Sequence, residues 1–163
     1  MTTNGADQPT AYMGRTRAYY RALGYAPDYV WARHDDVPFA RLGKPLREAR
    51  IALITTAGPA DRSHRDARNR KHVSSGAIAT APRVFDTDVA WDRDCTHTND
   101  RETYLPIDAA TRLAGEGVFA GLTARYHGAP TDYSHRKTNE HDAPEILRRL
   151  VEDGADAAVL TAL

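Results

Sequence analysis

The sequence predicts an α/β domain on an open, mostly parallel sheet with flanking helices, and three observations lead there. Arg50-Ile-Ala-Leu-Ile-Thr-Thr56 is a short, almost continuously apolar run closed by Ala57-Gly58-Pro59, the pattern of a strand buried on both faces. Ile146, Leu147, Leu150 and Val151 form an apolar stripe at helical spacing that Gly154 ends. Asp156-Ala-Ala-Val-Leu-Thr-Ala-Leu163 follows as another apolar strand. Helix, glycine, strand is half of the right-handed crossover that joins parallel strands.

The elements follow in order. Residues 1–10 are small and polar and are expected to form a disordered tail. Residues 11–49 are an N-terminal extension. Within it, 12–25 predicts a helix ending at Gly24, with Tyr12, Tyr19, Tyr20 and Leu23 on one face. Residues 30–39 are irregular, and Pro45 to Ala49 is a short lead-in helix or turn. The α/β domain is 50–163. After the first strand, 59–82 is a charged loop carrying Arg62, His64, Arg65, Arg68, Arg70 and Lys71. Arg83–Asp86 predicts a second strand and 91–105 a polar loop. Asp108–Ala114 predicts a helix with Asp108 as N-cap. Val118–Ala124 predicts a third strand, and 125–140 is polar. Asp142 as N-cap with Glu145 three residues later has the capping-box spacing.

Strand, loop, strand, helix, strand, helix, strand is the alternation of Rossmann-like or flavodoxin-like sheets. Ligands there sit at the carboxyl ends of the strands. These ends are Thr55-Thr56-Ala57-Gly58, Asp86-Thr87-Asp88, Arg125-Tyr126-His127-Gly128 and the chain end after Leu163.

Composition narrows the function. The 163 residues suit about one domain. With 22 Lys+Arg against 22 Asp+Glu the formal charge is zero. Dedicated nucleic-acid or membrane-surface binders need a positive surplus, so both are argued against. The 41% apolar and 27% charged residues are a polar balance for a self-sufficient globule. A surface that meets a partner accounts for it, and so does a solvated one. A single cysteine, Cys95, excludes an internal disulfide. No apolar run is long enough to span a bilayer, and the N-terminus lacks a signal-peptide pattern. A soluble, cytoplasmic protein is expected.

Each candidate site has two readings. Cys95 beside His97 is a nucleophilic or redox thiol if the imidazole lowers its pKa, or a small apolar filler. His97, Asp100 and Glu102 hydrogen-bond a substrate or partner, or form a structural loop network. His34, Asp35, His97 and Asp100 have the donor types of a Zn or Fe site, without metal-ligand spacing. Thr55 and Thr56 lead a glycine turn that suits an anion, or is a plain tight turn. The basic loop 62–72 grips an acidic partner, or is solvated. His127, with Arg125 and Tyr126 beside it, is a strand-end acid or base, or a structural histidine.

Four segments in one order resemble the selenoprotein B family of the glycine, sarcosine, betaine and D-proline reductases. They are Arg50-Ile-Ala-Leu-Ile-Thr-Thr-Ala-Gly58, Thr96-His-Thr-Asn-Asp-Arg-Glu-Thr-Tyr-Leu-Pro106, Ala120-Gly-Leu-Thr-Ala-Arg-Tyr-His-Gly128, and the segment from Ala143-Pro-Glu-Ile-Leu-Arg-Arg-Leu150 through Val151-Glu-Asp-Gly-Ala-Asp-Ala-Ala-Val-Leu-Thr161. The resemblance implies a reductase in a multi-chain complex that cleaves a carbon–nitrogen bond with a selenol or thiol. In the family that residue lies in a Sec/Cys-x-x-Cys stretch directly after the strand matching Ala157–Leu163. The sequence ends at Leu163, so the redox role is carried to no residue here, and Cys95 does not match it. The cofactor is therefore expected on a partner chain, as Cys, Sec or a pyruvoyl group, and none is expected in this chain. A split gene, a cleavage or loss of the active half each fit that ending.

The leading expectation is an oxidoreductase subunit whose sheet a second chain completes. His97, Asp100, Glu102 and His127 then line the pocket for a small-molecule substrate, with Thr55, Thr56, Arg125 and Tyr126 binding it. The rivals are a metal-dependent enzyme using His34, His97 and Asp100, and a non-catalytic binding or scaffold subunit.

Overall fold

A computed structural model describes residues 11–25, 27–28, 33–38, 40–86, 94–95 and 97–163. The expected tail at 1–10, Thr96, and the Thr87-Asp88 strand end lie outside the described residues. The chain divides into two units, Met1–Pro38 and Phe39–Leu163.

In the first unit, α1 (Tyr12–Ala22) forms where the tyrosine spacing places it. It ends at Gly24, whose φ of 82° is the left-handed conformation that stops helices. Tyr12, Tyr19, Tyr20 and Leu23 are all exposed. The rings of Tyr19 and Tyr25 meet that of Tyr20 edge-on at 5.7 and 5.6 Å.

The second unit is a mixed, mostly parallel open sheet with helices on its faces. Its centre is β1 (Arg50–Thr55), entered through a single 3₁₀ turn at Leu46–Glu48. Its apolar run is buried from Ile51 to Thr55, because both its flanks and both its faces are covered. One flank pairs in parallel with β5 (Gly121–Leu122) and then β6 (Arg125–Gly128). The other pairs in parallel with β7 (Ala157–Thr161) over five residues. β3 (Ser74–Ala77) lies antiparallel outside β6. A separate two-stranded ribbon joins β2 (Gly58–Pro59) to β4 (Phe85–Asp86).

Alternation along β1 divides the core. Ile51 and Leu53 point to one face, where they meet Phe85, Tyr104, Leu105, Phe119, Tyr126 and helix α2 (Ile107–Gly115) through Ile107 and Ala110. Ile54 points to the other, against Val73 and helix α4 (Ala143–Glu152) through Ile146.

Four local readings are corrected. The charged loop 59–82 contains β3, a strand of small residues with no apolar run to announce it. Arg83–Asp86 pairs away from the main sheet. The third strand forms within 118–124 but is shorter, as β5 at Gly121–Leu122: Val118 N–H still closes the end of α2 on Leu113 O at 3.0 Å, and ladder bonding begins at Ala120, whose N–H reaches Ala49 O at 2.9 Å. Neither predicted N-cap caps. Asp108 sits inside the first turn of α2 and pairs with Arg83 and Arg101. Asp142 ends a π turn (Thr138–Asp142) that joins α3 (His135–Lys137) to α4 without a break. The residue that opens this helical run is Ser134, whose hydroxyl accepts the Lys137 N–H at 3.2 Å.

Candidate functional site

Two places in the second unit gather polar side chains. The first is the carboxyl end of the parallel strands. Thr55 is fully buried and its Oγ1 accepts the Ala57 N–H at 3.1 Å, which fixes the turn after β1. Thr56 Oγ1 accepts the Leu163 N–H at 2.9 Å, and Thr161 Oγ1 donates to Tyr104 O at 2.6 Å. The end of β7 is thereby tied both to the turn after β1 and to the loop before α2. Beside them Gly58, His64, Lys71, Ser74, Gly128 and Thr131 close around a cavity of about 10 Å³, room for one water. Gly58 has to be glycine, because a Cβ there lands 2.8 Å from the His64 ring.

The second place is a hydrogen-bonded array under the C-terminal end of α4. His127 on β6 is fully buried. Its Nδ1 lies 2.8 Å from Ser75 Oγ, directly across the β3–β6 ladder, and its Nε2 lies 3.0 Å from Asp153 Oδ2. Asp153, 9% exposed, also takes Arg125 Nε at 2.9 Å and Arg125 NH2 at 2.7 Å. Arg149 NH1 donates to Ser75 Oγ at 2.8 Å while its Nε is held by Glu145 at 2.7 Å. Burial pushes the His127 pKa down, and the Asp153 charge opposes this without overcoming it. Burial raises the Asp153 carboxyl, but the Arg125 guanidinium and His127 outweigh it and hold the group below its usual range. The array therefore holds a neutral imidazole on an ionised carboxylate. Asp153 accepting at Nε2 makes Nε2 the protonated nitrogen and leaves Nδ1 as the acceptor for Ser75.

The expected site residues distribute as follows. Cys95 and His97 are exposed, and His97 Nδ1 accepts the Asn99 N–H at 3.4 Å. Asp100 Oδ1 accepts the Glu102 N–H at 3.0 Å. Glu102 takes the Asp108 and Ala109 N–H groups at 3.1 and 2.9 Å, so its carboxylate closes the N-terminus of α2, where a negative charge is favoured. Tyr126 is buried on the α2 face, its ring 5.6 Å from that of Phe85, and burial raises its pKa. His97, Asp100 and Glu102 thus lie by α2, whereas His127 and Arg125 reach Asp153 at the end of α4. The sheet stands between the two sets and does not bring them together. His34 and Asp35 fall in the first unit, and among the described residues no three His, Cys, Asp or Glu side chains gather as a metal cluster.

Sequence reasoning missed Ser75, Asp153 and Arg149. Ser75 lies in the misread loop, and Asp153 reads as an ordinary residue past a helix end. Only the pairing of β3 with β6 makes them neighbours of His127.

No protein-family model and no solved structure matches this chain. It is 24% identical over 144 residues to the component B gamma subunit of the glycine reductase complex of Peptoclostridium acidaminophilum, covering 84% of this chain and 33% of that protein. It is 30% identical over 125 residues to the gamma subunit of D-proline reductase of Acetoanaerobium sticklandii, covering 73% of this chain and 50% of that protein. The chain spans a third to a half of the length of these relatives. The likeness supports the assignment to the reductase B family made from the four segments.

Proposed function

We propose that this chain is a subunit of a reductase complex resembling glycine or D-proline reductase, and that a partner chain docks along β7 and α4 and carries the redox Cys or Sec, or a pyruvoyl group. One observation carries this reading beyond the likeness. The apolar stripe of α4 is only half covered: Ile146 is buried, but Leu147 and Val151 are 61% and 69% exposed. On β7, Val159 and Leu160 are 45% and 61% exposed. Among the described residues β7 pairs with β1 alone, so its outer edge offers free backbone groups. Between α4 and β7 runs an apolar groove of about 270 Å³, lined by Ile54, Ile146, Leu147, Leu150 and Leu160. An unpaired strand edge beside exposed leucines and valines is a seam that a further strand and its apolar side chains cover.

In this reading the substrate pocket forms at the carboxyl ends, where Thr56, the His97–Tyr104 loop and the end of β7 meet. The partner's redox group enters beside Thr161. His97 and Asp100, on that loop, would serve proton handling and orientation. Among the described residues no helix is long and apolar enough to cross a membrane, and a cytoplasmic complex fits.

The test is co-expression with the products of the flanking reading frames, followed by size-exclusion chromatography with mass measurement of each species. A stable complex with a Cys- or Sec-bearing chain is expected. Fully burying one such side chain contributes about 1.5–3 kcal/mol. Placing carboxylates in a closed apolar seam forfeits that and adds a desolvation cost. Leu147→Asp with Leu160→Asp should therefore weaken association by at least about 100-fold while leaving the isolated chain folded. A monomer with full reductase activity and no partner would overturn the proposal.

A further inference from the structure

We propose that Ser75 is a nucleophilic hydroxyl, activated by His127 and Asp153, that accepts acyl groups from activated esters or thioesters. This activity is separate from the reductase reading and does not rest on it.

Three elements converge: β3 brings Ser75, β6 brings His127, and the turn after α4 brings Asp153. Nucleophile to base is 2.8 Å and base to carboxylate is 3.0 Å, the separations that a nucleophile, base and orienting acid require. Exposure is graded in the useful direction, since Ser75 is exposed, Asp153 is partly exposed and His127 is buried. A reagent therefore reaches the hydroxyl and not the imidazole. The two ring nitrogens are exchanged relative to the commoner arrangement, but such arrays are defined by roles and not by atom names. With Nε2–H committed to Asp153, Nδ1 has a free lone pair aimed at the Ser75 hydroxyl.

Two cations complete the setting. Arg125 holds both oxygens of Asp153 and so orients it. Arg149 NH1, 2.8 Å from Ser75 Oγ, places a positive charge where negative charge develops, first on Oγ and then on the carbonyl oxygen. The charged groups around the array are Arg125, Arg149 and Asp153, with Glu145 and Glu152 pairing the two arginines from α4. The lowered His127 pKa keeps the base neutral at physiological pH.

The chemistry balances. Ser75 Oγ attacks the acyl carbonyl carbon and its proton passes to His127 Nδ1. The tetrahedral intermediate collapses, and the leaving alkoxide or thiolate departs with that proton. Water then attacks the acyl-Ser75 ester, again giving a proton to Nδ1, which returns it to Ser75 Oγ as the carboxylic acid leaves. No electron is transferred, and the co-reactants are the ester or thioester and water. Ser75 and His127 are the catalytic residues here, while Asp153 and Arg125 are positioning residues.

The experiment uses the full chain, an alkyl fluorophosphonate as probe and intact-mass spectrometry with peptide mapping. One adduct per chain on the peptide containing Ser75 is expected, together with release of nitrophenolate from p-nitrophenyl acetate. Ser75→Ala, which removes one exposed oxygen, should abolish both while preserving the circular dichroism spectrum. His127→Gln should slow labelling by about 100-fold or more, the usual worth of a positioned base. Should that variant fail to fold, the pH profile of the unaltered chain decides. Labelling must fall with a single protonation below the ordinary histidine range. Absence of any adduct, an adduct that survives Ser75→Ala, or a labelling rate flat with pH overturns the proposal. Association with a partner chain is read separately, by mass, and is indifferent to all three results.

Discussion

Replacing Asp153 by asparagine preserves the shape of the side chain and removes its charge, which isolates the electrostatic part of the array. In the native structure the carboxylate receives Arg125 Nε at 2.9 Å, Arg125 NH2 at 2.7 Å and His127 Nε2 at 3.0 Å. Hydrogen bonds to a charged group contribute about 1.5–3 kcal/mol each. The two Arg125 bonds are discounted, because that side chain is 38% exposed and water takes over part of its solvation. The His127 bond is not discounted, because the imidazole is fully buried. An asparagine amide also turns at least one N–H toward donors that already point inward. Together these give a loss of about 2–4 kcal/mol from a domain stability of about 5–15 kcal/mol. At about 4 °C per kcal/mol for a unit of this size, Tm falls by roughly 8–16 °C. Urea unfolding followed by circular dichroism measures the loss. Asp156→Asn is the control, since that carboxylate takes the Arg50 N–H at 2.8 Å and pairs with half-exposed Lys44, a setting in which water screens the charge and the loss is smaller. A change below about 0.5 kcal/mol for Asp153→Asn would mean that the array does not form in solution, and the reasoning about His127 would fall with it.

Three further outcomes follow from the same contacts. Folded His127 binds a proton less readily than the unfolded chain does, because its pKa is lowered. Its contribution to stability is present above about pH 6.5 and is lost as pH falls from there toward the folded value. The urea midpoint should therefore drop between pH 7.5 and 5.5, and His127→Gln should flatten that slope; equal slopes would reject the assignment. Gly76→Ala sets a Cβ 2.6 Å from Cε1 of the buried Tyr126 ring, so overpacking should cost about 1–3 kcal/mol in thermal unfolding. Glu102→Ala removes the acceptor of two N–H groups at the start of α2 and should cost about 0.5–2 kcal/mol; an unchanged Tm with lost reductase activity would instead place Glu102 at the substrate.

What was legible in the sequence follows the physics of each signal. β1 was readable because burial on both faces leaves an unbroken apolar run, and Ile51 to Thr55 is buried as that run implies. Gly24 and Gly154 were readable as helix ends because both take positive φ. β3 was not, since Ser74-Ser75-Gly76-Ala77 stays in the sheet through backbone pairing with β6 and through small size. Gly76 admits the Tyr126 ring and Gly128 admits the Ser74 side chain. The capping box at Asp142 misled because its letters also fit a helix interior, where Glu145 pairs with Arg148 and Arg149. His127 was picked out as a strand-end residue, but its partners are separated from it by 52 and 26 positions, and no local pattern reports contacts at that range.

The two edges of the sheet differ in a way that bears on both proposals. The β7 edge carries Val159 and Leu160 and lies beside the groove under α4, so covering it releases water from apolar surface. The β3 edge carries Ser75 and Gly76, which offer a docking chain little apolar area. A partner is therefore drawn to one edge by the hydrophobic effect and has no comparable reason to cover the other. The Ser75 hydroxyl then stays accessible in the assembled complex, and the fluorophosphonate should label complex and isolated chain at similar rates. Protection of Ser75 on assembly would show instead that the partner reaches around α4 to the β3 edge, and would move the proposed interface to the opposite side of the sheet.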